Sequence, residues 1–387
     1  MAYYPDTQMI RGRPAHLPSG LERVSASGGP GRLFGRFSKN SAHRQVSLAL
    51  QGGASFGAFT WGVLDRLIED DQLDLDIISG TSAGALNAVL LASGLAEGGR
   101  LGARHRLEHF WTSLSKLAPV SSWNFGLWGT VMAALQASAH AVSPYQFNPL
   151  GLDPLRDLLL KEIDFDRLRA VRPVGLLIAT TRVKDGQLRL FREDEITVDV
   201  VLASCCLPML HQAVEIDGEA YWDGGFSANP PLRQLAMETV AREILLVQIM
   251  PAESETVPQS SADISRRASI LAFNASLQRE IEALEALRAG CKQAGLFASA
   301  MCRKLNRLRL HRITATDSLV GLARESMLNT TPAFLTRLRE SGAKAASAWL
   351  AEAADSLPKS PMPRARWLGA ESWESRKLVA KNIAGAC

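Results

Sequence analysis

"DIISGTSAGALNAVLL", residues 76–91, holds the turn on which the fold is decided. Its opening residues are apolar enough for a buried strand, and its closing ones are small and apolar at helical spacing. Between them Gly80-Thr81-Ser82-Ala83-Gly84 fits G-x-S-x-G in the strand-to-helix context that motif requires. A nucleophile on so sharp a turn needs small residues two before and two after it, because the strand and helix backbones nearly touch there. Ser82 would then project its hydroxyl from the carboxyl edge of a sheet, with the following helix N-terminus favouring negative charge nearby. A small-residue helix packed on a sheet would produce the same spacing, so the flanking strand and helix carry the assignment.

Upstream, "SLALQGGASFGAF" (47–59) repeats the theme. Alternating Val46, Leu48 and Leu50 run into Gly52-Gly53-Ala54-Ser55-Phe56-Gly57, after which Phe59, Val63, Leu64, Leu67 and Ile68 recur at helical spacing. A strand that empties into a glycine turn aims backbone N–H groups at one point. A nucleotide phosphate is a poor occupant: Ala54 replaces the middle glycine of G-x-G-x-x-G, and no Gly-Lys-Thr/Ser follows. Asp74 and Asp76 fall where a ribose-binding acid would stand, but before the strand's apolar end, which Gly80-Thr81-Ser82 occupies. The other candidate occupant is an oxyanion formed during a reaction, which the turn's own glycines do not decide.

Well downstream, "EIDGEAYWDGGFSANPP" (215–231) sets Asp223-Gly224-Gly225 after a short strand-like run. Asp-Gly is a common turn dipeptide, and Asp217-Gly218 reads as no more than that. A carboxylate placed directly on a serine hydroxyl can nevertheless serve as its base.

Taken together, the glycine turn, the G-x-S-x-G and the downstream Asp-Gly-Gly resemble the patatin-like phospholipases. Further matching stretches are "GVLDRLIED" (62–70), "SPYQFNPLGLDPLRDLL" (143–159), "ASCCLPML" (203–210) and "YWDGGFSANPPL" (221–232), so the resemblance covers about 46–250. It implies an α/β fold of three layers, α/β/α, with a mainly parallel central sheet and, here, a C-terminal helical extension. It also implies a Ser-Asp dyad that cleaves lipid or phospholipid carboxylic esters through an acyl-serine, with no cofactor and no metal. Carried over, Ser82 is the nucleophile and Asp223 its base. The amides of Gly52, Gly53 and Ala54 form the oxyanion hole, Gly80 and Gly84 flank the elbow, and Gly224 and Gly225 complete the aspartate loop. Ala54 and Phe56 stand where the family usually has a glycine and a basic residue. This departure keeps open a non-catalytic lipid-binding or scaffold protein of the same fold. A second alternative is an α/β-hydrolase with a Ser-Asp-His triad using His311, which matches that order along the chain, or His211.

Bulk properties agree with a globular enzyme. The 387 residues are 47% hydrophobic and 21% charged, and 43 basic against 39 acidic residues are too balanced to suggest nucleic-acid binding. Five cysteines (Cys205, Cys206, Cys291, Cys302, Cys387) show no C-x-x-C, which points to free thiols in a reducing compartment and no zinc site. The start lacks a signal-peptide core, and the apolar stretch 77–96 is interrupted by Ser79, Thr81, Ser82, Asn87 and Ser93. A cytoplasmic protein without a membrane span is therefore expected. Residues 1–44 read as a disordered basic tail, 45–250 as the catalytic domain, and 251–387 as a mostly helical extension packed on it, after a polar linker at 251–266. Residues 118–150 read as a lid-like insertion. Its Trp123, Phe125, Leu127 and Trp128, or the basic run 303–309, are the candidates for peripheral membrane contact, although lid packing and a solvated face are the simpler readings.

Overall fold

The computed structural model describes residues 44–117, 143–148, 153–250, 257–293, 299–315, 327 and 329–353. The basic segment 1–43, most of the aromatic insertion with Trp123, Phe125, Leu127 and Trp128, and Cys387 lie outside the described residues.

Two β-turn-α units open the structure, as the two glycine-punctuated stretches require. β1 (Arg44–Leu50) leads through a single 3-10 turn at Ala54–Phe56 into α1 (Gly57–Glu69). β2 (Leu73–Thr81) leads through Ser82 into α2 (Ala83–Leu117), which is broken at Gly98 and Gly99. The short helices α3 (Pro144–Phe147), α4 (Pro154–Glu162) and α5 (Phe165–Val171) follow. β3 (Gly175–Arg182) then forms a hairpin with β4 (Leu188–Arg192), the antiparallel pair expected from the alternating stretch 186–193. After α6 (Val198–Ser204) come β5 (Val214–Ile216), β6 (Glu219–Asp223), α7 (Leu232–Glu238) and β7 (Glu243–Gln248). The remaining chain supplies α8 (Ser261–Gln293), α9 (Ala300–Arg307), β8 (Arg309–Thr314) and α10 (Pro332–Ala353).

The strands form one sheet in the order β5-β6-β3-β2-β1-β7-β8, with β4 also on β3. The run from β3 to β8 is parallel, and the β4, β5 and β6 pairings are antiparallel. Period-two alternation sorts each central strand between two cores. Leu48 and Leu50 of β1, Ile78 of β2 and Leu245 and Val247 of β7 pack with Phe59, Leu91, Phe110 and Phe334 on one face. Ala49, Ile77, Ile244 and Leu246 pack with Leu235, Leu277, Leu284 and Leu305 on the other. The result is a three-layer α/β/α architecture with a mainly parallel central sheet.

The C-terminal segment, read as mostly helical, also supplies a strand: β8 extends the sheet beside β7, because Leu310 and Ile313 give the stretch buried or half-buried apolar faces despite its three basic residues. The expected polar linker is shorter, since α8 already begins at Ser261. Cys291 and Cys302 are not free thiols but form a disulfide joining the end of α8 to the start of α9, their Cα atoms 4.9 Å apart. That pairing arises from the helix hairpin rather than from any sequence spacing. Among the described residues no helix is long and apolar enough to cross a membrane.

α10 packs directly across α1. A Cβ on Gly62 would overlap the carbonyl oxygen of Arg339, and one on Gly342 would overlap that of Phe59. The helices touch backbone to backbone, with Arg339 stacked over Trp61 and bonded to Asp65. Gly342→Ala is expected to destabilise the protein by roughly 2 kcal/mol through overpacking, measured as a lowered urea midpoint at unchanged slope.

Candidate active site

Ser82 lies alone between the end of β2 and the start of α2, with φ 54°. This left-handed conformation costs a non-glycine residue about 1 kcal/mol, so the surroundings must hold it. The Ser82 N–H donates to Ser204 Oγ at 3.0 Å, and Ser204 donates in turn to the Ala179 carbonyl at 2.7 Å. The neighbouring Thr81 hydroxyl donates to the Ala228 carbonyl at 2.7 Å. Close approach explains the flanking glycines: a Cβ on Gly84 would overlap the Leu50 carbonyl oxygen, and one on Gly80 would lie 2.6 Å from the backbone of Gly84. The hydroxyl-bearing residue itself is only half-buried.

The glycine turn is pinned from several distant places. Gln51 Oε1 accepts from the N–H groups of Ile249 and Met250, both at 2.9 Å, and its Nε2 donates to Asn274 of α8 at 2.8 Å. Gly52 does not serve as expected. Its N–H is donated to Asn229 Oδ1 at 2.7 Å, deep in the protein, and is therefore unavailable to an oxyanion. Among the described residues the N–H groups of Gly53 and Ala54 have no hydrogen-bond partner, and they are the donors this turn leaves open. Ser55 closes the turn with two bonds to the Met327 carbonyl, from its N–H at 3.0 Å and its hydroxyl at 2.7 Å. Ala54 has φ 49°, a conformation that glycine adopts without penalty. Phe56, where the family has a basic residue, is buried with its ring centroid 6.1 Å from that of Phe334.

Asp223 is the last residue of β6 and pairs with Thr180 of β3, one residue beyond Ala179, which aligns with Thr81 of β2. Its N–H donates to the Cys206 carbonyl at 2.8 Å, and its carbonyl accepts from the Thr181 hydroxyl at 2.9 Å. Gly224 and Gly225 form the following 3-10 turn, and Asp223 Oδ1 accepts the Gly225 N–H at 2.7 Å. Oδ2 is buried without a formed hydrogen bond. Burial pushes the carboxyl up to about 7, against the opposing pull of the Gly225 amide and the Ser82 hydroxyl. That hydroxyl is thus close enough to act on Asp223, although the pair lacks formed hydrogen-bond geometry, as is common before substrate binds. Burial, with Asp223 adding to it, also pushes the Cys205 thiol well up, so it stays protonated beside Ser82.

The structure sets the Gly52 backbone against Ser82 and the Ser82 hydroxyl near Asp223, and it leaves the histidines elsewhere. His311 lies on β8 with Nε2 2.7 Å from Glu243 Oε2, and β8 is separated from β2 by β1 and β7. His211 forms no hydrogen bond to Ser82 or Asp223 and lines a cavity of about 240 Å³ on the far side of Cys205. Asp76, the candidate ribose-binding acid, instead accepts from the Thr239 hydroxyl and the Val240 and Ala241 amides. Among the described residues no cluster of His, Cys, Asp or Glu could hold a metal ion. Asn229, Ser204, Gln51 and Met327 all hold the site, and sequence reasoning assigned none of them a role. The only signal was that Gln51, Ser204 and Asn229 lie inside stretches quoted for the family resemblance.

Comparison with known proteins gives three kinds of match. Residues 48–236 match the model of the Patatin-like phospholipase family. A patatin-like phospholipase domain-containing protein of Pyricularia oryzae is 46% identical over 61 residues, which is 16% of this chain and 7% of that protein. A protein of the same description from Chaetomium globosum is 49% identical over 49 residues, 13% of this chain and 6% of that one. The chain therefore spans under a tenth of the length of these curated relatives. Structural alignment pairs 80% of this chain with 67% of VipD from Legionella pneumophila at 17% identity and a TM-score of 0.39. The ExoU-SpcU complex of Pseudomonas aeruginosa aligns at 15% identity and a TM-score of 0.28, over 88% of this chain and 78% of that one.

Two stability effects follow from the geometry. Asp223 is held above its ordinary value in the fold, so its folded-state preference for the neutral form is harmless below the ordinary value of 3.8, costs stability progressively as pH rises from there to about 7, and costs a constant amount above that. The gap from the ordinary value of 3.8 to about 7 corresponds to about 4 kcal/mol in favour of the neutral acid. Asp223→Asn is expected to raise the urea midpoint above wild type at pH 8.5, and the two proteins should converge near pH 4. Ala54→Gly removes a strained φ and is expected to stabilise by about 1 kcal/mol, read in the same titration at constant pH.

Proposed function

Residues 48–236 belong to the patatin-like phospholipase family, and from this premise we propose that the protein is a serine acyl hydrolase cleaving lipid carboxylic esters through an acyl-Ser82 intermediate. Asp223 takes the Ser82 proton as the hydroxyl oxygen attacks the ester carbonyl. The unpaired N–H groups of Gly53 and Ala54 receive the developing oxyanion, a role worth about 3 kcal/mol per donor in other hydrolases. Collapse of the tetrahedral intermediate expels the alcohol, which takes the proton back from Asp223. Asp223 then deprotonates a water that attacks the acyl-serine, and the proton it gained returns to Ser82 as the carboxylic acid leaves.

The observation that carries this reading is a buried carboxylate with one unpaired oxygen acting on a serine held at φ 54°. A carboxylate near pH 7 in acidity is matched to proton transfer at neutral pH better than an ordinary one. Under this proposal residues 45–250 are the catalytic unit, and the extension after 251 supports it through Asn274 and Met327.

Ala54 at φ 49° favours a second reading, a lipid-binding scaffold with a weakened oxyanion hole. Covalent labelling by a fluorophosphonate separates the two, because only an activated Ser82 is labelled. Release of fatty acid from phospholipid vesicles by wild type should fall about 10²–10⁴-fold in Ser82→Ala and in Asp223→Asn. The wild-type rate should rise with pH through about 7 and level off above it, as Asp223 becomes ionised. Wild-type rates in either variant would rule out the dyad.

A further inference from the structure

Ser82 and Asp223 follow strands that do not touch. In the sheet order β6-β3-β2 the strand β3 lies between them, and neighbouring strands are about 4.8 Å apart. No ladder bond between β2 and β6 therefore sets the separation of nucleophile and base. The end of α6 supplies the link instead. Ser204 Oγ accepts the Ser82 N–H at 3.0 Å, and two residues later the Cys206 carbonyl accepts the Asp223 N–H at 2.8 Å. Between them the Cys205 thiol meets the Ser82 hydroxyl. Three consecutive residues thus each hold one member of the pair.

This link is stiff. Thr197 caps α6 by accepting the Val200 N–H, and Val200, Val201, Leu202 and Ala203 are buried. At the other end the Cys205 N–H donates to the Val201 and Leu202 carbonyls, and the Cys206 N–H donates to that of Ala203. Ser204 is wholly buried and anchored on β3, because its hydroxyl donates to the Ala179 carbonyl at 2.7 Å. A Cβ on Gly224, the residue after Asp223, would lie 2.3 Å from that same carbonyl oxygen. Ser82 is fixed on both sides of its α-carbon. Its N–H goes to Ser204, and its carbonyl accepts the Leu86 N–H at 3.0 Å as α2 begins. With both peptide groups held at φ 54°, the hydroxyl keeps only the rotation of its own side chain.

We infer that Ser204 is a positioning residue for acyl transfer, holding the Ser82 backbone in its left-handed conformation at the separation from Asp223 that the end of α6 dictates. The inference rests on the reading of Ser82 as acyl acceptor and Asp223 as its base, and names what aligns them. Without the Ser204 hydroxyl the Ser82 N–H loses its acceptor, and the residue can leave a conformation that is costly for serine. Ser204 is buried away from any ligand, so the loss falls on the chemical steps and not on affinity.

The test compares Ser204→Ala with Thr197→Ala, which removes the cap at the end of α6 away from the dyad. Both variants are expected to lower the urea midpoint. Only Ser204→Ala should lower kcat for monomeric dihexanoyl-phosphatidylcholine, by about 10²-fold. KM should stay within about twofold of wild type, and fluorophosphonate labelling should slow by the same factor as kcat. The rise of kcat with pH should remain centred near 7, because Asp223 stays buried. If Ser204→Ala does not fold, Ser204→Cys, whose sulfur is a much weaker acceptor, is read in the same assays with the same expectation. A midpoint moved towards 3.8 would mean that water has reached Asp223 and the site has merely loosened. That shift, an equal kcat loss in Thr197→Ala, a loss confined to KM, or wild-type kcat and labelling without the Ser204 hydroxyl would each overturn the positioning role and leave the hydrolase reading in place. A wild-type protein that is neither labelled nor active would remove the hydrolase reading, and the positioning role with it.

Discussion

The backbone contact between the carboxyl ends of β1 and β2 is the constraint from which the rest of the structure follows. Gly84, in the first turn of α2, lies against the Leu50 carbonyl, and a Cβ on Gly52 would come within 2.7 Å of the Ser82 Cβ. No side chain fits between the two turns. This contact forces the glycine turn beside the serine elbow, with Gly52 against Ser82, the one residue between β2 and α2. Larger residues at either place would push α2 off the sheet and separate the two turns. The apolar cores on both faces then hold the strands in register, with Leu48 and Leu50 facing one helical layer and Ala49 the other.

Polar economy around the site is uneven, and the imbalance has a chemical direction. Carbonyl and amide groups near Ser82 are paired, often with side chains from other elements, while Asp223 Oδ2 and two turn amides are left unpaired. An unpaired buried carboxylate oxygen is costly in a folded protein, as is a non-glycine residue in the left-handed region. Both costs fall at this site, at Asp223 and at Ser82, and the surrounding core supplies the stability that carries them. The same burial that raises Asp223 keeps the Cys205 thiol neutral.

What could be read from the chain follows from where the information is stored. The strand-turn-helix units, the parallel core and the hairpin of β3 with β4 were legible because alternation and close-approach glycines are local requirements. Ser82 and Asp223 could be nominated for the same reason, each standing in a short motif with its own turn geometry. The supports were not. Asn229 reaches Gly52 across 177 positions, Ser204 reaches Ser82 across 122, and Met327 reaches Ser55 across 272. Each is an ordinary polar or backbone group whose partner is set only by the packed fold. Gly52 was misassigned for this reason, since nothing near it in sequence announces that Asn229 takes its amide. β8 was missed because basic residues interrupt its apolar pattern, and the disulfide because Cys291 and Cys302 meet only once α8 and α9 are folded together.

The clamp on the glycine turn has one more consequence. Ser55 spends two donors on the carbonyl of Met327, a main-chain atom that every amino acid possesses. The tie is therefore indifferent to which side chain stands at 327. A substitution there leaves the acceptor in place, so the position can hold the turn without any particular letter marking it, and a comparison that counts only matched letters would pass over it.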